Sequence, residues 1–225
     1  MNNELWGILV DSFPKILLAG IKVSIPLALI AFAIGLLIAV LTALIRYAKI
    51  PVLKELVRIY IWLIRGTPLL VQLAIIFYGL PVFGIHVNAF FAAAVALSIC
   101  EGAYMSESLR GAILSVDPGQ IEAGYCQGLS FTQIMNHIVL PQAFRTAFPA
   151  LSNSLISLVK DTSLAANITV VDMFMTTQRI AGRTYQFMPL YIEVALVYLI
   201  FCSLLTVLQH FIERKLNHYA VKEIK

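Results

Sequence analysis

Long uncharged runs alternate with short charged segments along this chain, and a bilayer crossing needs roughly 20 mostly apolar residues. Residues 23–45 carry no charge and are bounded by Lys22 and Arg46, which marks a first span over Val23–Ile45. Residues 66–100 are also free of formal charge, but too long for one crossing. The run Gly79-Leu80-Pro81-Val82-Phe83-Gly84 interrupts them with turn-forming glycine and proline. The pattern therefore predicts a second span over Ile59–Leu80 and a third over Asn88–Arg110. A fourth, Pro141–Val159, carries Arg145, Pro149 and several serines. Such a segment stands in a membrane only where it faces protein or a water-filled cavity. A fifth covers Pro189–Ile212, with Glu193 near its start. Ahead of them all, Leu5–Ala19 mixes apolar residues with Asp11 and Lys15 and predicts a separate interfacial helix. The expected class is an all-α membrane protein with about five spanning helices. Residues 1–19 form its N-terminal segment, 20–214 the membrane domain and 215–225 a tail.

Composition agrees with the pattern. Hydrophobic residues make up 60% of the chain and charged ones 12%, with a mean hydropathy of +0.88. A soluble domain of this size cannot hide that much apolar surface. The net charge of +4 is too modest to imply nucleic acid as a partner. Its distribution is more informative. With five spans, eleven Lys and Arg fall on one side, in the 46–65 segment, at Arg110 and Arg145, and in the tail. Five fall on the other, at Lys15, Lys22, Lys160, Arg179 and Arg183. The positive-inside rule then puts the N-terminus outside, the C-terminus in the cytoplasm, and residues 111–141 in a cytoplasmic loop. Met1–Lys22 lacks the pattern of a cleavable signal peptide, so the first span is expected to direct insertion. Trp6, Tyr60, Trp62 and Tyr219 sit where interfacial anchors are expected. Cys100, Cys126 and Cys202 are scattered, the four histidines form no ligand or catalytic set, and no metal site is predicted.

The 111–141 loop is polar enough for water yet patterned for helix. Asp117-Pro118 suits a helix start, Ile121, Tyr125 and Leu129 recur every fourth residue, and Gly128 stands where that helix would end. An apolar pattern restarts at Phe131. Periodicity alone fits a solvated connector as well as a docking element that shows an apolar face to a partner.

The residues themselves go further. Glu122-Ala123-Gly124, three residues, Gly128, nine residues and Ile138-Val139-Leu140-Pro141 resemble the loop signature of ABC importer permeases. The one departure is Gly124, where the family usually has alanine. Three other segments are similar to the polar-amino-acid branch of that family, the histidine, glutamine, arginine and cystine type of type I importer. They are Arg65-Gly66-Thr67-Pro68-Leu69-Leu70-Val71-Gln72, Ala103-Tyr104 with Glu107, Arg110 and Gly111, and Lys160-Asp161-Thr162-Ser163-Leu164. The resemblance implies the type I importer membrane fold in the bacterial cytoplasmic (inner) membrane. It also implies a second permease subunit, two ABC ATPase subunits and an extracytoplasmic amino-acid-binding protein. Glu122, Ala123, Gly124, Gly128, Ile138, Leu140 and Pro141 would couple this chain to the ATPase. ATP and Mg would bind on that partner and no cofactor on this chain, which has no Gly-x-x-x-x-Gly-Lys-Ser/Thr loop.

Ionisable and polar groups inside spans are costly, which makes them pathway candidates. Glu101, with Ser98 on the same helix face, lies in the third span. Asn153, Ser157 and Asp161 form a stripe on the fourth, and Gln72 lies in the second. Glu101 or Asp161 would suit a substrate ammonium, and backbone donors at a broken helix or Lys160 its carboxylate. Glu107 and Arg110 read as a structural pair. An ion-coupled secondary transporter is the main alternative, and no inverted repeat supports it. A membrane-embedded enzyme would need a catalytic set such as His-Glu-x-x-His, and the chain has none.

Overall fold

The structure, a computed structural model, describes residues 2–221, with side chains from Glu4 to Leu216. Lys222 and Lys225 of the basic tail, and the side chain of Tyr219, lie outside the described residues. Every regular element among the described residues is helical. In chain order these are α1 (Asn2–Ala19), α2 (Ile25–Tyr47), α3 (Leu53–Arg65), α4 (Leu69–Gly79), α5 (Ala89–Leu114), α6 (Pro118–Cys126), α7 (Phe131–Ile134), α8 (Leu140–Asp161), α9 (Met173–Thr184) and α10 (Phe187–Val221). Among the described residues, three helical runs are long and apolar enough to cross a membrane unbroken, Glu4–Tyr47, Ala89–Leu114 and Phe187–Leu216. Two bent pairs bring the total to as many as five.

Two expectations from the sequence are corrected here. The 1–19 segment is no separate helix, because α1 runs through a π-helical turn at Gly20–Ser24 directly into α2. The 59–80 segment is no single straight span, because α3 and α4 meet at 105°. Proline accounts for the second of these. Pro68 excludes Thr67 from the helical region and has no N–H to continue the ladder, so α3 stops and α4 starts afresh. Pro26 and Pro141 have a milder effect. Each follows a five-residue π turn by two positions, Gly20–Ser24 and Met135–Val139. The wider i→i+5 spacing, Ile25 N–H to Gly20 and Leu140 N–H to Met135, removes the ring's clash with the preceding turn and keeps the helix running. For the same reason α7 is continuous with α8, and the second loop helix merges into the fourth span.

The core is the α2–α5 pair, built from small residues at intervals of four. Ala31, Gly35, Ala39 and Ala43 line α2, and Ala94, Ser98, Gly102 and Ser106 line α5, all buried. Small side chains let backbones approach where lipid offers no hydrophobic driving force. The approach is close. A Cβ on Gly102 would sit 2.7 Å from Ile38 Cγ2. The N-terminal helix is held by the buried Ile16 and by Ser12, whose hydroxyl donates to Glu193 Oε2 on α10 at 2.5 Å. That bond satisfies a carboxylate otherwise costly in an apolar helix.

Candidate functional site

A cleft of about 600 Å³ opens between the α3–α4 bend, the middle of α5 and one face of α8. Glu101, the thirteenth of 26 residues in α5, stands at its centre along that helix. Asn153, Ser157 and Asp161 line the opposite wall, so the three-residue stripe on α8 and the α5 carboxylate face one space. Ser154, Thr67 and Tyr104 complete the polar lining. Glu101 is buried, and its Oε2 has no hydrogen-bond partner among the described residues. That oxygen is free to accept a hydrogen bond from a group entering the cleft. The volume is in the range of small-molecule sites.

The other sequence candidates fall elsewhere. Gln72 is buried beneath the bend and braces it. Its Nε2 donates to the Ile64 carbonyl at 2.8 Å, the Thr67 carbonyl at 3.1 Å and Thr67 Oγ1 at 3.0 Å. Ser98 Oγ donates to the Ala94 carbonyl at 2.6 Å, within its own helix and against α2. Neither lines the cleft. Lys160 faces the far side of α8, into a separate pocket with Phe174, Tyr191 and Tyr198, and so does not serve as the cleft's cation. The broken helix does reach the cleft. Pro68 and Leu69, the N-terminal turn of α4, line it, and that turn has no side-chain cap. Val71 and Gln72 donate to the Pro68 carbonyl, which leaves the Leu69 and Leu70 N–H groups and the positive end of the α4 dipole to an anion. Arg65 does not line the cleft but lies over the ring of its lining residue Tyr104, with the guanidinium 5.4 Å from the ring centre. Ser154 and Tyr104 carry no pathway expectation from the sequence, Tyr104 standing there only within a family-like segment, although each lies three positions along a helix from a pathway candidate.

The loop folds as one short helix, α6, followed by the first turns of the α7–α8 run. Asp117 caps α6, accepting from the Gly119 N–H at 2.8 Å, with Pro118 in the first turn. Gly128 ends it with φ +79°, its N–H bonded to the Tyr125 carbonyl at 2.9 Å and the Leu129 N–H to the Gly124 carbonyl at 3.1 Å. That is a Schellman cap. Ser130 and Gln133 then form a capping box on α7. Glu122 and Ala123 are exposed on α6 and Pro141 on α8. Gly124 is buried, and a Cβ there would meet Ile134 Cγ1 at 3.0 Å and Ile138 Cδ1 at 3.2 Å. The isoleucines fill the space an alanine would claim, which accounts for the departure from the family pattern. Ile121, Leu129, Ile138 and Leu140 pack on the inner core, so the expected apolar face points inward. Tyr125 and Phe131 are the large apolar side chains left exposed between them. Glu107 on α5 bonds Arg110, as expected, at 3.1 Å, and also Arg46 on α2.

Residues 31–218 match the family described as "Binding-protein-dependent transport system inner membrane component". The L-cystine transport system permease protein TcyB of Bacillus subtilis (strain 168) is 46% identical over 218 residues, spanning 96% of this chain and 93% of its own. The probable glutamine ABC transporter permease protein GlnP of the same organism is 38% identical over 182 residues, 80% of this chain and 84% of its own. Among solved structures, an amino acid ABC transporter crystallised with histidines superposes with a TM-score of 0.84 at 33% identity, covering 92% of this chain and 96% of its own. A chain of the MetNI methionine ABC transporter shares the fold, with a TM-score of 0.77 at 19% identity over 90% and 96% of the two chains.

Proposed function

From the premise that the chain belongs to the binding-protein-dependent transport system inner membrane component family, as the permease subunit of an amino-acid ABC importer, we propose that the α3–α4–α5–α8 cleft is where the amino acid passes. The observation that carries this is the convergence of Glu101 and Asp161 on one space, with Glu101 Oε2 lacking a partner among the described residues. Two carboxylates facing one cleft attract an ammonium, and the uncapped N-terminal turn of α4, with Arg65 beside the lining residue Tyr104, suits a carboxylate. Asn153, Ser154 and Ser157 offer neutral hydrogen bonds between those poles. A substrate with two ammonium groups, as in the cystine named for one relative, would engage both acids at once.

The remaining assignments follow from the same reading. The α6–α7 hairpin lies on the cytoplasmic side and docks on an ATPase subunit, with Glu122 and Ala123 exposed to it and the Gly128 cap fixing the angle between the helices. Two ATPase subunits hydrolyse ATP with Mg, a second permease subunit completes the pathway, and an external binding protein delivers the substrate in the bacterial inner membrane. Alternating access is then a shift between two packings of these helices, each favoured by different ligation.

Asp161→Asn in the assembled transporter tests the cleft. A charge-assisted hydrogen bond contributes about 1.5–3 kcal/mol. The substrate concentration for half-maximal stimulation of ATP hydrolysis should therefore rise on the order of 10–100-fold, with basal hydrolysis retained. Loss of basal hydrolysis, or unchanged half-stimulation, would remove Asp161 from the pathway.

A further inference from the structure

A second cleft, of about 630 Å³, lies at the C-terminal end of α5, where the ends of α2 and α5 meet the loop helices. Four cations line it, Arg46 at the end of α2, Lys49 in the following turn, Lys54 in the first turn of α3, and Arg110 near the end of α5. Glu107 is the carboxylate that answers them, and it is shared between Arg46 and Arg110. Lys49 and Lys54 have no ion pair among the described residues. The wall thus keeps a surplus of positive charge beside half-buried arginines, a combination suited to a phosphate. The turn that holds the lysines is constrained, with Lys49 at φ 52° and Val52 at φ 65°. Left-handed backbone at two residues with side chains costs on the order of 1–3 kcal/mol each.

What lies next to the cations selects the source of the phosphate. Ile50, Val52, Leu53 and Leu56, on the same turn and the start of α3, are all exposed. The cleft sits at the ends of two membrane spans, so this apolar strip begins where the hydrocarbon begins. A soluble anion has no use for such a strip, whereas acyl chains would lie along it. The third wall belongs to the loop, with Tyr125 of α6 and Phe131 of α7 lining the cleft and Phe131 stacked on Tyr47 at 6.3 Å. An occupant would touch span ends and loop helices together.

We propose that this cleft is a site for the phosphate headgroup of an anionic phospholipid, which braces the α6–α7 hairpin against the ends of α2 and α5. Basic pockets between helix ends at the membrane boundary hold such headgroups. Because one wall is the hairpin itself, lipid occupancy would alter how firmly the hairpin is held. The site is independent of the amino-acid cleft and of which ligand that cleft takes.

Native mass spectrometry of the full chain in neutral detergent, titrated with phosphatidylglycerol or phosphatidylcholine, tests this. The wild type should retain one phosphatidylglycerol in preference to phosphatidylcholine. Lys49→Asn/Lys54→Gln should lose retention by roughly 30-fold, and Lys54→Gln alone by about 5-fold. Asparagine is chosen because it tolerates the left-handed backbone at position 49. A charge-matched control at the far end of the chain, Lys15→Gln/Lys22→Gln, should retain the lipid as the wild type does. Equal retention of the two lipids by the wild type would overturn the proposal, as would equal losses in the two double variants. Selective binding of inorganic phosphate without lipid preference would assign the cleft to a soluble anion instead. Expulsion of the lipid on adding the ATPase subunit would assign it to that partner.

Discussion

Substitution of Gly128 separates backbone geometry from side-chain space at the turn of the loop hairpin. Its φ of +79° lies in the left-handed region, yet a Cβ placed there meets nothing within 4 Å. Any penalty is therefore conformational. For an ordinary L-residue it is about 1–2 kcal/mol, and asparagine evades much of it. The two cap hydrogen bonds, Gly128 N–H to Tyr125 and Leu129 N–H to Gly124, depend on that φ. Opening of the cap should therefore become 5–30-fold more frequent, roughly, in Gly128→Ala. Gly128→Leu should match it, because the space is open, and Gly128→Asn should stay close to wild type. Hydrogen exchange of the solubilised chain, read by mass spectrometry on peptides covering α6 and α7, reports these frequencies directly. Substrate-stimulated ATP hydrolysis in the assembled complex should fall in the same order. Leucine far worse than alanine would mean that contact, not backbone strain, governs the turn, and asparagine as damaging as alanine would refute the geometric argument itself.

Two further outcomes follow from packing and topology. Gly102→Ala places a Cβ 2.7 Å from Ile38 Cγ2 and 3.0 Å from the Tyr60 hydroxyl. It should lower stability by about 1–3 kcal/mol in a thermal melt of the solubilised chain, whereas Gly79→Ala, with nothing within 4 Å, should not. Single cysteines at Ser115 and Phe83 should label only from the cytoplasm and only from outside, respectively, and reversal of both would invert the orientation.

Uncharged length located the spans because lipid penalises charge wherever it meets it, and that rule does not depend on tertiary contacts. Gly128 and Asp117-Pro118 were legible for a similar reason, since caps and turns are local chemistry. The bend at Gly66-Thr67-Pro68 carried a local signal too, but the uncharged run passes straight through it and outweighed it. The π turns ahead of Pro26 and Pro141, which join α1 to α2 and α7 to α8, have no local signal in the sequence. The small-residue stripes of α2 and α5 were readable at intervals of four, whereas their pairing needed the structure. In the cleft, spacing alone put Asn153, Ser157 and Asp161 on one stripe. Only tertiary packing turned that stripe toward Glu101, sent Lys160 to the opposite side of α8 and tucked Gln72 under the bend. Ser154 and Tyr104 were not legible as cleft residues, because nothing in their types distinguishes a cleft wall from a helix contact.

Calorimetry on the assembled complex in nanodiscs, with no binding protein present, tests the central claim most directly. The amino acid that stimulates ATP hydrolysis is compared with its deaminated analogue, on the wild type and on Glu101→Gln/Asp161→Asn. The wild type should bind the amino acid at least about tenfold more tightly than the analogue, the minimum for one charge-assisted hydrogen bond, and the double variant should bind both weakly and alike. Discrimination that survives in the double variant, or a wild type that binds the two ligands equally, would contradict the account.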